Sequence, residues 1–378
     1  MPELSPPALT PEAWAWPLGI SFVAAAVGTA ALRWAAPRLG MLDRLDSRKN
    51  HPRPMPLLGG LAVYLSVVGA CLLARSAMGR LGIRPTALLA ASFVVLALGL
   101  WDDRTGLRAR RRLLIQLVCA AGVIAAGVRF AWFGWLPADC LVSALWLVGL
   151  ANAMNCLDCA DGAAAGVAAI GAGALALIAA RNGHAGTELA ALAVLAACVG
   201  FWVFNFPPAS IFLGDAGSTV LGFLLGGLSI EATQGFSPLT QAWAAALPVA
   251  VPVWDIVLVH ARRYRAGAGG LRALLESSGH DHLPHRLRRL GLTPRRAALG
   301  VYLMAAFLAI PAAPLAGRPH GTAAMIAITL AALVSGERPF GLVLRQRGSP
   351  VLGATRHVPA LRLRRCCAAG AEEVKDAN

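Results

Sequence analysis

Long apolar segments restrict the fold of this chain more than any other feature. A helix of about 20 apolar residues, within a range of roughly 17–25, is needed to cross the hydrocarbon core of a bilayer. Hydrophobicity predicts eleven such segments, near residues 14–36, 57–75, 85–101, 113–131, 139–153, 162–180, 188–204, 217–233, 241–259, 297–315 and 320–335. We therefore expect an all-α polytopic membrane protein with about eleven transmembrane helices.

The composition indicates that lipid is the solvent for much of the surface. Of the 378 residues, 57% are hydrophobic and only 14% are charged, whereas soluble domains carry roughly 25% charged residues. The net charge of +15 would suggest nucleic acid as the partner of a soluble protein. Here the charges are explained by their positions along the chain, and we expect no nucleic-acid partner.

The eight cysteines lie mostly inside apolar runs, where small hydrophobic side chains are common. No disulfide framework is implied. The pair Cys156 and Cys159 has no second pair at zinc-finger spacing, which argues against a zinc site. Residues 1–13 contain no Lys or Arg, so the positive region of a cleavable signal peptide is missing.

The distribution of basic residues predicts the orientation in the membrane. Twenty-seven of the 34 Lys and Arg residues lie in the loops that follow odd-numbered spans and in the tail, and six lie in the opposite loops. Because cytoplasmic loops carry the excess of Lys and Arg, the first group is predicted to be cytoplasmic and the N-terminus to be outside. We expect one multi-span domain over residues 1–335 and a basic, partly disordered cytoplasmic tail over 336–378.

Nearly all acidic and amide clusters fall in or beside the predicted cytoplasmic loops. Two of these loops, 152–161 and 205–217, contain no Lys or Arg and so are poor topology anchors. Polar residues at these helix ends need another explanation, and chemistry at the cytoplasmic face is the one we favour.

The first cluster combines carboxylates with arginines. Asp102 and Asp103 directly follow an apolar helix, where adjacent carboxylates repel and a cation would relieve the cost. The arginines at 108 and 110–112 follow within two turns and suit phosphate groups as well as serving as a positive-inside anchor. An exposed loop start remains the alternative for the two aspartates.

The second cluster places Asn152, Asn155, Asp158 and Asp161 at steps of three residues. On a helix such residues keep roughly one face, and oxygen ligands of this kind suit Mg²⁺ bound to a diphosphate. A helix C-terminus followed by an Asp cap is the alternative, and it explains Asp161 but not the two Asn.

Three further features point the same way. The stretch 205–218 contains Gly-Asp-Ala-Gly-Ser at the start of a helix, a pattern that can hold phosphate and metal together. Residues 280–286 supply three His and one Arg, which suit phosphate binding or proton transfer. Asp255 is predicted to lie inside the ninth span, where carboxylates are functional candidates.

As an ordered set, these motifs resemble the polyprenyl-phosphate N-acetylhexosamine-1-phosphate transferases, which include UDP-GlcNAc:undecaprenyl-phosphate enzymes and the phospho-MurNAc-pentapeptide transferase. The likeness covers residues 43–286. Its pieces are Asp43 with Arg48, Lys49 and His51; Pro56 with Gly59 and Gly60; Asp102 and Asp103; Asn152, Asn155 and Asp158; Asn205 through Gly214, Asp215, Gly217 and Ser218; and His282, His285 and Arg286.

The resemblance implies a transfer of N-acetylhexosamine-1-phosphate, GlcNAc-1-phosphate being favoured, from a UDP-sugar to undecaprenyl phosphate at the cytoplasmic face of the inner membrane. The products would be polyprenyl-diphospho-sugar and UMP, and Mg²⁺ the cofactor, with Mn²⁺ as a substitute. A homodimer stays open. The implied roles are catalysis for Asp102 and Asp103; metal binding for Asp215 and Asn155; and substrate binding for Lys49, Arg112, Asn152, Asp158, Asp161, Asn205, Phe212, His282, His285 and Arg286.

The sequence departs from the family pattern in three places. Cys159 stands where Gly is common, Leu45 stands where Pro is common, and the His motif lacks a run of three His. The last departure favours the GlcNAc-type branch. Two other classes are alternatives. A secondary transporter would bind its substrate near the bilayer midplane, and a CDP-alcohol phosphotransferase would need an Arg and later Asp residues that are missing after Asp161.

Overall fold

The structure is a computed structural model that describes residues 11–43, 54–78, 82–265 and 281–330. These residues belong to one compact unit, Met1–Ala331. Two sequence-based predictions, phosphate binding by Lys49 and the basic tail from residue 336, lie outside the described residues.

The described chain is helical apart from its connections and one pair of two-residue strands. The strands β1 (Leu42–Asp43) and β2 (Met55–Pro56) pair antiparallel, and a 3₁₀ turn spans Leu247–Val249. The helices are α1 (Pro11–Ala35), α2 (Gly59–Met78), α3 (Ile83–Thr105), α4 (Ala109–Ala125), α5 (Leu136–Leu157), α6 (Ala163–Arg181), α7 (Ala185–Asn205), α8 (Gly214–Ala232), α9 (Pro238–Ala246), α10 (Ala250–Arg265), α11 (Leu283–Arg289), α12 (Pro294–Ala309), α13 (Ala312–Leu315) and α14 (Gly321–Leu330).

Every predicted span overlaps helical structure within the described residues, which end at residue 330 in the last span, and the protein is a multi-pass helical membrane protein. Seven helical stretches of the described chain are long and apolar enough to cross a bilayer: Ala15–Ala35, Ile83–Thr105, Leu136–Leu157, Ala163–Arg181, Ala185–Asn205, Pro238–Arg265 and Pro294–Leu315. Two shorter apolar helical stretches, Gly59–Ala74 within α2 and Gly321–Leu330, also occur in the described chain, and the 17-residue α4 begins with three arginines in its first turn. The number of about eleven crossings therefore stays a prediction.

Helix α8 forms the centre of the molecule, because small residues let its neighbours approach closely. Every residue from Ala216 to Ala232 is buried, and α8 packs against α2, α3, α5 and α6. A methyl group added at Gly60 on α2 would collide with the Cα of Gly217. One added at Gly99 on α3 would collide with the Cα of Ala216. The first turn of α8 is thus enclosed by several helix ends.

The outer helices turn large apolar side chains away from this centre. Val27 on α1, Leu114 on α4 and Leu145 on α5 are each more than 60% exposed. Such side chains suit contact with lipid tails.

Candidate active site

The N-terminus of α8 is capped by a carboxylate from α3. Asp103 accepts hydrogen bonds from the backbone N–H groups of Asp215 (2.9 Å) and Ala216 (3.2 Å). It therefore satisfies two of the amides that a helix N-terminus leaves without partners. Gly214, with φ of +77°, makes this approach possible, since a Cβ there would lie 2.7 Å from Asp103 Oδ2.

Arg112 connects the neighbouring aspartate to the same helix start. Its Nη1 lies 2.6 Å from Asp102 Oδ2 and 3.1 Å from Asp215 Oδ2. Asp102 is buried, and its Oδ1 accepts a 2.5 Å bond from the N–H of Leu107. The Asp215 side chain is 46% exposed. One guanidinium thus lies between a buried and an accessible carboxylate.

Helix α5 contributes the amide side of this cluster. Asn155 donates from Nδ2 to Asp215 Oδ1 and to Ser218 Oγ, both at 3.0 Å. Ser218 in turn donates to the carbonyl of Gly214. One turn earlier, Asn152 donates to Gln116 Oε1 on α4 at 2.8 Å.

Asp158, at the end of α5, adds negative charge to the same region. Burial, and then the carboxylates of Asp215, Asp103 and Asp161, raise the pKa of Asp158 well above its usual value. A carboxylate shifted by its neighbours in this way would be relieved by a bound cation. Among the described residues, however, no three His, Cys, Asp or Glu side chains form a group that could hold a metal ion.

The loop between α7 and α8 is shaped by two other predicted site residues. Asn205 is buried; its Oδ1 accepts from the N–H of Gly162 (3.0 Å) and its Nδ2 donates to the carbonyl of Ile211 (2.9 Å). Asp161 accepts from the N–H of Ala209 at 3.0 Å. Both side chains are therefore engaged with backbone in this structure.

Phe212 lies in an extended segment that pairs with the start of α2. Its N–H donates to the carbonyl of Pro56 (2.8 Å), and its carbonyl accepts from Gly59 (3.1 Å). The ring is partly exposed. This pairing fixes the segment that leads into Gly214 and Asp215.

The His motif begins at α11, and α10 lies against it. His282 Nδ1 lies 2.8 Å from Asp255 Oδ2, and both residues are buried. Arg286 is buried as well, while His285 is partly exposed. Asp281 pairs with Arg263 of α10.

The structure therefore brings Asp102, Asp103, Arg112, Asn155 and Asp215 into one hydrogen-bonded cluster. Asp158 lies within electrostatic reach of it, whereas Asn152, Asp161, Asn205 and His282 contact other partners. Sequence reasoning missed Gln116 and Tyr302. Tyr302 donates to the carbonyl of Gly162 (2.8 Å) and accepts from Trp202 Nε1 (2.9 Å), and no motif marks it.

Comparisons with known proteins agree with this arrangement. The family model described as Glycosyl transferase family 4 matches residues 85–233, which contain both aspartate motifs and Asn155. A Bacillus subtilis protein named "Probable undecaprenyl-phosphate N-acetylglucosaminyl 1-phosphate transferase" is 31% identical over 311 residues, which cover 78% of this chain and 82% of the relative.

Two further relatives have similar names. A Mycobacterium tuberculosis protein named decaprenyl-phosphate N-acetylglucosaminephosphotransferase is 33% identical over 336 residues, which cover 79% of this chain and 81% of the relative. A Yersinia pestis protein named undecaprenyl-phosphate alpha-N-acetylglucosaminyl 1-phosphate transferase is 27% identical over 296 residues, which cover 74% of this chain and 78% of the relative.

Proposed function

The chain belongs to glycosyl transferase family 4, the polyprenyl-phosphate N-acetylhexosamine-1-phosphate transferases, and from this premise we propose that it makes a polyprenyl-diphospho-N-acetylglucosamine. An oxygen of undecaprenyl phosphate attacks the β-phosphorus of UDP-GlcNAc. The bond from that phosphorus to the bridging oxygen breaks, and UMP leaves with the bridging oxygen. The names of the relatives support the polyprenyl phosphate and GlcNAc parts of this proposal.

The observation that carries the proposal is the group of carboxylates around Arg112 at the start of α8. Both substrates are phosphate anions, so a transferase must hold two negative groups together while charge shifts to the leaving UMP. Arg112 provides a fixed cation between Asp102 and Asp215. Catalysis by such a site is mainly positioning and electrostatic stabilisation, with no covalent intermediate required.

We propose Mg²⁺ as the cofactor, with Mn²⁺ as a substitute, and Asp215 and Asn155 as its protein ligands. The residues fit, because the Asp215 carboxylate is accessible and supplies a hard oxygen. Rotation of the Asn155 amide by 180° would present Oδ1 instead of Nδ2, an assignment that hydrogen bonding decides. When bound, the ion would neutralise diphosphate charge, and phosphate oxygens would complete its ligand set.

The two adjacent aspartates have different contacts, which suggests different roles. Asp103 holds the first turn of α8 by two backbone N–H groups, so it positions Asp215. Asp102 holds Arg112 in place. We propose that both are essential to transfer and that each acts through the neighbour it positions.

The enzyme is a transferase. Its membership of a transferase family argues against the alternative that it is a secondary transporter. The clustered site residues also lie at helix ends, with Asp102 and Asp103 near the end of α3 and Asp215 in the first turn of α8, whereas transporters bind their substrates near the midplane. We propose that this end faces the cytoplasm at the inner membrane, where UDP-sugars are available, and that the N-terminus lies outside.

Transfer of radiolabel from UDP-GlcNAc to undecaprenyl phosphate by purified protein tests the proposal. We expect labelled lipid and an equal amount of UMP with Mg²⁺, a lower yield with Mn²⁺ and neither product with EDTA. Product with UDP-GalNAc but not with UDP-GlcNAc would keep the reaction and change the donor. No product with any UDP-sugar would overturn the proposed function.

A further inference from the structure

Asp255, on α10, is a buried carboxylate outside the cluster around Arg112. Asp255 is 1% exposed, and both of its oxygens are engaged. Oδ1 accepts a 2.7 Å hydrogen bond from the N–H of Leu283, and Oδ2 lies 2.8 Å from His282 Nδ1. A carboxylate can only accept hydrogen bonds, so we assign His282 Nδ1–H as the donor in this pair.

A second clamp from α10 acts on the preceding residue. Arg263 follows Asp255 by eight residues and so lies on the same side of the helix. Its Nε and Nη2 donate to the two oxygens of Asp281 at 2.9 and 2.7 Å. Burial opposes ionisation of Asp281, but the Arg263 guanidinium prevails and the pKa of Asp281 is lowered. One side of α10 therefore fixes three consecutive residues, 281–283.

The Asp255–His282 pair lies beside the site described above. Burial, and then the carboxylates of Asp255 and Asp158, raise the pKa of the Cys159 thiol well above its usual value. Helix α10 also packs against α5, whose last turn carries Asn155. The Asp255–His282 pair therefore lies next to the helix that supplies Asn155 to the cluster.

We propose that Asp255 is a positioning residue of the transfer reaction, which holds the His282 imidazole so that its Nε2 is directed to the diphosphate of the UDP-sugar. This inference rests on the proposed function. A carboxylate on one ring nitrogen fixes the tautomer and orientation of the other. When the ring is protonated, the same carboxylate stabilises the imidazolium, and Nε2–H can donate to a phosphate oxygen.

A double-mutant cycle tests this role against a purely structural one. Asp255→Asn keeps an oxygen for the Leu283 N–H but presents an amide to His282, which favours the other tautomer. We expect a loss of about 10- to 100-fold in kcat/KM, as for the loss of an outer hydrogen-bond partner of a functional histidine. His282→Gln should lose a similar factor, and the double variant should lose no more than the larger single loss, because coupled residues are not additive.

Asp281→Asn is the matched control, since it breaks the neighbouring clamp on the same segment but leaves the His282 pair. We expect less than about a threefold effect on kcat/KM. Thermal unfolding of each purified variant checks that it is folded. Where Asp255→Asn does not fold, Asp255→Glu keeps the charge, displaces the imidazole and takes its place in the cycle.

UMP release from a panel of UDP-sugars is the readout. In one outcome, the unaltered protein releases UMP while the losses in kcat/KM of Asp255→Asn and His282→Gln multiply in the double variant. That result would overturn the inference and leave the proposed function standing. A loss in Asp281→Asn as large as in Asp255→Asn would also overturn it. No release by the unaltered protein with any donor would overturn both.

Discussion

At the scale of single residues, Asp215 should decide whether the enzyme turns over. Asp215→Asn keeps the side-chain shape but removes the negative charge that pairs with Arg112. The same change removes the carboxylate that we propose as a metal ligand. We expect at least about a 100-fold loss of transfer. Stability should change little, because the side chain is 46% exposed. Radiolabel transfer at saturating Mg²⁺ and thermal unfolding measure the two effects.

The matched control is Glu188→Gln, a carboxylate in the first turn of α7 at the opposite end of the bundle. It should retain normal transfer. Near-normal turnover by Asp215→Asn at high Mg²⁺ would remove Asp215 from the proposed metal site.

Gly214 should tolerate no side chain, for two separable reasons. Its φ of +77° costs an alanine roughly 1–2 kcal/mol. The added Cβ would also press on Asp103 Oδ2 at 2.7 Å. Gly235→Ala is the matched control, since it shares a positive φ of +87° but meets nothing within 4 Å. We expect both variants to unfold at lower temperature and only Gly214→Ala to lose more than about tenfold of its transfer activity.

Equal activity in the two glycine variants would mean that the contact with Asp103 does not position the first turn of α8.

The contact between Asp103 and the start of α8 could not be predicted from the sequence. The family resemblance implied Asp102, Asp103, Arg112, Asn155 and Asp215 as site residues, because their motifs occur in family order. Nothing in the spacing shows that Asp103 caps a helix that begins 111 residues later, since capping across helices depends on tertiary packing.

At the scale of elements, close packing of α2 on α8 should depend on glycine. Gly60→Ala would force the new methyl group into the backbone of Gly217, and overpacking of this kind typically costs about 1–3 kcal/mol. Gly69→Ala on the same helix meets nothing within 4 Å, and alanine is the better helix former. We expect thermal unfolding at lower temperature for Gly60→Ala alone, and an equal effect of the two would argue against this packing.

Element positions were largely predictable, because hydrophobicity alone marks where helices lie in an apolar chain. Breaks within elements were not. The predicted ninth span is divided by the 3₁₀ turn at Leu247–Val249, where Pro248 removes a backbone donor. The packing partners of each helix could not be predicted either. Tyr302 of α12 donates a hydrogen bond to the Gly162 carbonyl, and no local sequence pattern indicates this contact.

At the scale of the whole molecule, the number and direction of membrane crossings depend most on α4. This helix is only 17 residues long and starts with Ala-Arg-Arg-Arg, yet the charge distribution predicts that it crosses. Arg111, near its start, and Trp135, after its end, are both exposed. If α4 crosses, these two positions lie on opposite sides of the membrane.

Single cysteines at the two positions test this crossing, in a parent that carries Cys366→Ala and Cys367→Ala. None of the six other cysteines is exposed, so the parent should give a low background. We expect a membrane-impermeant maleimide to label Trp135→Cys in intact cells and Arg111→Cys only in inverted vesicles, because the positive loops are predicted to face the cytoplasm. The reverse pattern would invert the predicted orientation. Labelling of both positions from one side would show that α4 does not cross. Because the predicted side of each loop alternates with every span, the sides of all loops from α5 onward would then have to be reassigned.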